Sequence, residues 1–140
     1  MTGTAQEIDL DSYQLQISGK VDRPLNLTYD ELRCMPKVEV HAVLVCPGFF
    51  QDEATWAGVP LRDILDRVGV QEDARGLRLV GADGYRNFVT IEEARAENSI
   101  LAYEWDGELL PILHGFPVRA AFPELNGNRW VKWLIAIEVE

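Results

Sequence analysis

Long apolar runs are missing from this 140-residue sequence; nothing in it approaches the roughly 18 uninterrupted apolar residues of a membrane-spanning helix. The opening residues, Met1-Thr-Gly-Thr-Ala-Gln-Glu-Ile-Asp-Leu10, also lack the basic and apolar regions of a secretory leader. The expectation is a protein with no membrane span that stays in the cytoplasm. Cysteine and histidine are scarce, two of each. Cys34 and Cys46 form no Cys-x-x-Cys pair, which argues against a disulfide framework. A structural zinc site needs about four ligands at recognisable spacing, so zinc is disfavoured too. His41 and Cys46 would moreover point to opposite faces if they shared a strand. Positive charge is short as well: 13 Lys and Arg against 23 Asp and Glu leave a net charge of −10. Such a chain repels nucleic acid and anionic membranes at long range, which excludes a nucleic-acid partner.

What remains is ordinary for a folded protein, with 47% apolar and 26% charged residues. The length suffices to bury one core. Residues 1–10 are polar and expected to be flexible, and residues 11–140 to form a single domain. Apolar residues alternate at Tyr13, Leu15 and Ile17 and predict a half-buried strand ending at Gly19. Thr28-Tyr-Asp-Glu31 has the form of a capping box and predicts a short helix to about Cys34, stopped before Pro36. The β-branched run Val38–Cys46 predicts a buried strand with Cys46 at its end, where Pro47-Gly48 turns the chain. Pro60 to Val68 reads as an amphipathic helix with Leu61, Ile64, Leu65 and Val68 on one face and Gly69 as its stop. Leu77–Val80 is a strand. Thr90-Ile-Glu-Glu93 is a second capping box, opening a helix to about Glu97. Ile100–Trp105, Asp106-Gly107 and Glu108–Leu110 form a hairpin signal. Phe116–Phe122 and Trp130–Val139 read as extended. Short helices between strands, without βαβ repetition, predict an α+β fold of mixed β-sheets.

The chemistry concentrates near the C-terminus. His114-Gly-Phe-Pro-Val-Arg119, then Gly127 and Val131-Lys132-Trp133, sets a histidine and two cations among glycines, prolines and aromatics in an otherwise acidic chain. That is the pattern of an anion-binding surface: guanidinium offers planar bidentate donors and Lys a mobile point charge. Gly115 and Gly127 would let backbone amides approach a ligand closely. Upstream, Cys46 at a strand end beside a Gly turn is well placed to reach a ligand, a small buried hydrophobe being the alternative, while Cys34 reads as core. Neither Arg119 nor Lys132 is expected to be central to the apolar core.

Taken with Cys46-Pro-Gly-Phe49 and Trp56-Ala-Gly-Val-Pro-Leu61, this pattern resembles the molybdopterin-binding domain of the sulfite oxidase family, over about Gln14 to Glu138. The resemblance implies that family's fold and a mononuclear molybdenum–pyranopterin cofactor. It implies Cys46 as the metal ligand, a soft thiolate suited to molybdenum already bound by sulfur. His114, Gly115, Arg119, Gly127, Lys132 and Trp133 would then bind the cofactor. Tyr85, in Gly81-Ala-Asp-Gly-Tyr85, resembles the tyrosine that faces the metal in relatives and would be catalytic; a half-buried strand tyrosine is the alternative. The implied function is an oxidoreductase that transfers an oxygen atom to or from a small-molecule substrate. In the absence of a haem or flavin motif, a separate redox protein would exchange its electrons. The alternatives are a non-catalytic pterin- or anion-binding relic of the fold and a subunit that completes its site with another chain.

Overall fold

The computed structural model describes residues 6–46 and 50–140, and the side chains of residues 43–52 fall outside that description. The Pro47-Gly48 turn therefore lies outside the described residues, as do the first five residues of the expected flexible N-terminus.

Among the described residues, ten strands and three short α-helices follow in order: β1 (Gln14–Gly19), β2 (Leu25–Thr28), α1 (Tyr29–Cys34), β3 (Val38–Cys46), β4 (Phe50–Pro60), α2 (Leu61–Val68), β5 (Gly76–Gly81), β6 (Arg86–Thr90), α3 (Ile91–Arg95), β7 (Ile100–Trp105), β8 (Glu108–Leu109), β9 (Arg119–Ala121) and β10 (Leu134–Val139). One sheet has the order β2-β1-β10-β5-β6 and the other β3-β4-β7-β8, with β9 paired to β7. β1 runs parallel to β10, whereas the other pairs are antiparallel. The architecture is the expected α+β fold of mixed sheets.

Local chemistry accounts for the helix ends. Both capping boxes form: Thr28 Oγ1 accepts from Glu31 N while Glu31 accepts from Thr28 N, and Thr90 and Glu93 repeat the exchange. α2 buries Leu61, Ile64, Leu65 and Val68 completely, each worth about 1.5–3 kcal/mol of burial. It stops at Gly69, whose φ of 70° suits glycine. α3 stops at Arg95, two residues earlier than its pattern suggests. Ser99 Oγ donates to the Glu93 carbonyl at 2.7 Å, and Ser99 N bonds Ala96 O, so the chain turns out of the helix.

Three strands are unmarked in the sequence. β2 is short and follows Pro24, and β6 opens with Arg86-Asn87. β4 carries Asp52, Glu53, Ala54, Ala57 and Gly58, all poor strand formers, yet it is central in its sheet. Gly58 explains part of this. A Cβ there would run into the Leu101 carbonyl of β7, so the glycine lets the two strands close up at a register shift between Ala57 and Gly58. Conversely, the two extended C-terminal segments are shorter than expected: β9 keeps only Arg119–Ala121, and β10 begins after Trp133.

Candidate functional site

Arg119 is the pivot. β9 places it opposite Ala102 of β7, and bonds from Ala120 N to Val131 O and from Leu134 N to Val118 O hold residues 131–134 along its other side. Its side chain is 1% exposed, which corrects the expectation that it stands outside the core. The guanidinium lies 5.0 Å from the Trp56 ring centre and 5.6 Å from that of Trp130. It donates to His114 O at 2.8 Å and to Trp130 O at 3.0 Å. A buried cation is tolerable here because aromatic faces and main-chain carbonyls replace part of its water.

Around Arg119 the other predicted anchors meet on one short turn. Residues Ile112–His114 form a 3-10 turn closed by Gly115 at φ 111°. Three successive carbonyls of that turn each receive a side-chain donor: Ile112 O from Trp133 Nε1 at 2.8 Å, Leu113 O from Lys132 Nζ at 3.1 Å, and His114 O from Arg119. Carbonyls at a helical C-terminus carry partial negative charge, so the two cations are well matched to them. Gly115 makes the approach possible. A Cβ there would sit 3.1 Å from the Cβ atoms of both Arg119 and Lys132, in a backbone conformation that side chains disfavour. Trp133 reaches its carbonyl from a φ of 50°, uncommon for a bulky residue. Lys132 Nζ also lies 4.5 Å from the Trp133 ring centre. Just beyond, the buried Tyr13 hydroxyl donates to Leu134 O at 2.6 Å and fixes the start of β10. Burial, and secondarily Tyr29, push the Tyr13 hydroxyl well above the usual tyrosine range.

His114 belongs to an aromatic group as well as to the turn. Its ring stacks on Trp105 at 4.8 Å and meets Trp56 edge-on at 6.5 Å, and Trp56 meets Trp130 edge-on at 5.5 Å. Trp56 and Trp105 are cross-strand partners on β4 and β7, so they share one face of the sheet. The neighbouring pair Ala57 and Glu104 points to the other face. There a cleft of about 380 Å3 is lined by Glu39, Thr55, Ala57, Glu104, Asp106 and Gly107; its acidic walls repel anions.

Tyr85 and Gly127 form a second, adjoining group. The half-buried Tyr85 hydroxyl donates to Asn128 O at 2.8 Å and accepts from Asn87 Nδ2 at 3.2 Å, and Asn87 Nδ2 also donates to Asn128 O at 2.9 Å. Gly127 is buried and opens the 3-10 turn Gly127–Arg129, which leads into Trp130. β3 packs against this turn, and Cys46 is the last residue of β3, paired with Phe50; its side chain lies outside the described residues. The structure thus joins His114, Gly115, Arg119, Lys132 and Trp133 by direct contact. Tyr85 and Gly127 connect to them through the 126–130 loop. Asn87, Asn128 and Trp105 are participants that sequence reasoning passed over. Trp105 joins the group through the register of β4 and β7, which sets it opposite Trp56, and no signal in the sequence points to it.

Residues 2–140 match the model of a family described as the oxidoreductase molybdopterin binding domain. The chain is 34% identical over 131 residues to the oxidoreductase YuiH of Bacillus subtilis, a match spanning 93% of this chain and 66% of that protein. It is 30% identical to a sulfite oxidase of Arabidopsis thaliana, over 93% of this chain and 42% of the relative. It is also 30% identical to YedZ1 of Azospira oryzae, named as a protein-methionine-sulfoxide reductase subunit, over 96% and 51%. The fold superposes with a TM-score of 0.89 on a chain in the crystal structure of the sulfane dehydrogenase SoxCD from Paracoccus pantotrophus, at 27% identity, covering 96% of this chain and 40% of that one. The chain therefore spans about two thirds or less of the length of these relatives. No helix among the described residues is long and apolar enough to cross a membrane. A family match over nearly the whole length, joined to the same two-sheet fold, makes this chain a member of the oxidoreductase molybdopterin-binding domain family.

Proposed function

We propose that this chain binds a mononuclear molybdenum–pterin cofactor beside the Ile112–His114 turn and serves oxygen-atom transfer to or from a small substrate. The observation that carries the reading is the convergence of Arg119, Lys132 and Trp133 on three successive carbonyls of the turn that presents His114. The donor set fits a large, flat, anionic group. It combines the partly exposed cation of Lys132, positive potential from the buried Arg119, and the His114 imidazole stacked on Trp105. His114, Gly115, Gly127, Lys132 and Trp133 would hold the group, and Cys46 would ligate the metal. When bound, the cofactor supplies two-electron oxygen-transfer chemistry that no side chain provides.

The chain's own residues divide the remaining work. Lys132, partly exposed, brings a point charge to the phosphate. Arg119 is a positioning residue: from its buried place it fixes the His114 and Trp130 carbonyls and lends positive potential through the turn. Tyr85 positions the 126–129 loop through its bond to Asn128 and turns toward substrate oxygen only by exchanging that bond.

Substrate charge follows from the same layout. A net charge of −10 repels sulfite, Arg119 and Lys132 serve the turn, and Arg86 lies 3.6 Å from Glu138. Neutral oxygen donors or acceptors of the sulfoxide class suit this site better, and the likeness to a relative named for protein methionine sulfoxide supports that choice. A separate electron-transfer protein with a basic surface would complete turnover. The alternative is a relic of the fold that binds an anionic molecule without turnover.

Spectra and turnover test the proposal together. In metal-loaded protein, Cys46→Ser replaces a soft thiolate by an oxygen donor and shifts the visible absorption, whereas Cys34→Ser leaves it alone. Sulfoxide reduction by the loaded protein exceeds sulfite oxidation. Identical spectra for wild type and Cys46→Ser sink the metal assignment, and loaded protein that turns over neither substrate supports the relic.

A further inference from the structure

Tyr85 leads into β6 with its backbone held: Tyr85 N donates to Asp83 Oδ1 at 3.1 Å, and Tyr85 O accepts from Gly81 N at 2.9 Å. Movement is left to the side chain. Asn87 lies two residues on, the spacing that brings side chains to one face of a strand. Its amide has a set orientation, because Oδ1 accepts from Phe88 N at 2.7 Å and the nitrogen must then face the other way. The two amide hydrogens go to Tyr85 Oη at 3.2 Å and to Asn128 O at 2.9 Å. Asn128 O also accepts from the Tyr85 hydroxyl at 2.8 Å, in a solvent-exposed bond. One carbonyl, with two lone pairs, therefore receives two side-chain donors.

The duplication has a use. Tyr85 meets a substrate oxygen only by giving up its bond to Asn128 O. Asn87 keeps that carbonyl bonded meanwhile, so no water need enter beside the substrate to satisfy it. Its acceptor atom is turned to Phe88 N, so Asn87 meets Tyr85 only as a donor. The Tyr85 proton is thereby left for Asn128 O or for a substrate oxygen. Tyr85 and Asn87 are both partly exposed, within reach of a small molecule. The Gly127–Arg129 turn that carries Asn128 packs against β3 as well as β6, and Cys46 ends β3. We infer that Asn87 is a positioning residue for oxygen-atom transfer. It holds the Asn128 carbonyl while the Tyr85 hydroxyl swings from it to the substrate oxygen, and it keeps that hydroxyl a donor. This rests on the reading of Tyr85 in the function proposed above.

Two measurements test the inference, and the first needs neither cofactor nor a change at Asn87. A crystal structure of cofactor-free Tyr85→Phe should keep Asn87 Nδ2 within hydrogen-bond distance of Asn128 O and leave the 126–129 loop in place. A flipped amide or a displaced loop overturns the inference. The second is the kcat of sulfoxide reduction per bound molybdenum in wild type, Tyr85→Phe, Asn87→Asp and the double variant. Aspartate keeps the size and the bond from Phe88 N, but its carboxylate only accepts, so it captures the Tyr85 proton and repels Asn128 O. Asn87→Asp should lower kcat at least about tenfold, and should lower it no further once Tyr85 is phenylalanine. An Asn87→Asp enzyme as fast as wild type, or one slowed equally in both backgrounds, overturns the inference alone. Tyr85→Phe with the kcat of wild type removes the role of Tyr85 and this inference with it, leaving the cofactor reading intact. Wild-type protein that takes up no molybdenum overturns the inference together with the proposed function.

Discussion

Replacing Arg119 by Met separates a structural cation from a ligand-binding one. Methionine keeps a long flexible side chain between the Trp56 and Trp130 rings but removes both donors. The bond to Trp130 O is buried and the bond to His114 O half-buried. Hydrogen bonds from a charged group are worth about 1.5–3 kcal/mol each, and a deserted carbonyl bears its own desolvation cost. Against this, the variant no longer buries a charge, which returns a few kcal/mol. The balance is a net loss of about 3 kcal/mol, or roughly 10 °C in melting temperature for a chain of this size. Lys132→Met, which removes a solvent-exposed bond to Leu113 O, costs under about 1 kcal/mol. Thermal and urea unfolding of cofactor-free protein measure both. An Arg119→Met melting temperature within about 2 °C of wild type would refute the reasoning and return Arg119 to the role of a ligand anchor.

Other outcomes follow from the same geometry. Gly115→Ala forces a Cβ into 3.1 Å contacts with Arg119 and Lys132 at a φ of 111°; it should cost about 2 kcal/mol and lower cofactor occupancy, read by unfolding and metal analysis. Burial holds the Tyr13 proton in the folded chain far above the ordinary value of 10.0, so the folded state keeps a proton that the unfolded chain releases. This contribution to stability is whole below about pH 10 and is lost as pH climbs toward the folded value. Tyr13→Phe should therefore be less stable at neutral pH by about 1–2 kcal/mol, having lost its bond to Leu134 O, and should show a shallower alkaline decline in urea titrations. Some slope persists, because Tyr29 and Tyr103 are shifted upward as well, chiefly by burial.

The legible parts of this fold are those governed by local rules. Thr28 and Thr90 announce their helices because a capping box is complete within four residues. Asp106-Gly107 announces its hairpin because both residues adopt the positive φ that the turn requires, 50° and 83°. β4 is invisible because its stability comes from neighbours on both sides and from the backbone approach at Gly58, not from its own side chains. The site divides the same way. His114 and the cations Arg119 and Lys132 stand out in an acidic chain, but charge alone suggests a solvated anchor. That Arg119 is instead buried between Trp56 and Trp130 depends on β9 joining β7, a long-range pairing no local pattern records. The part played by Trp105 is more hidden still, since only the register of β4 and β7 sets it opposite Trp56 and beside His114.

The most direct measurement is the molybdenum content of the purified chain after expression with abundant cofactor, compared between wild type and Lys132→Ala under limiting supply. The account predicts about one molybdenum per wild-type chain and an occupancy lowered several-fold in Lys132→Ala, with melting temperatures of the cofactor-free proteins nearly equal. A wild-type chain free of molybdenum under abundant supply, or a Lys132→Ala chain as fully loaded as wild type under limiting supply, would contradict it.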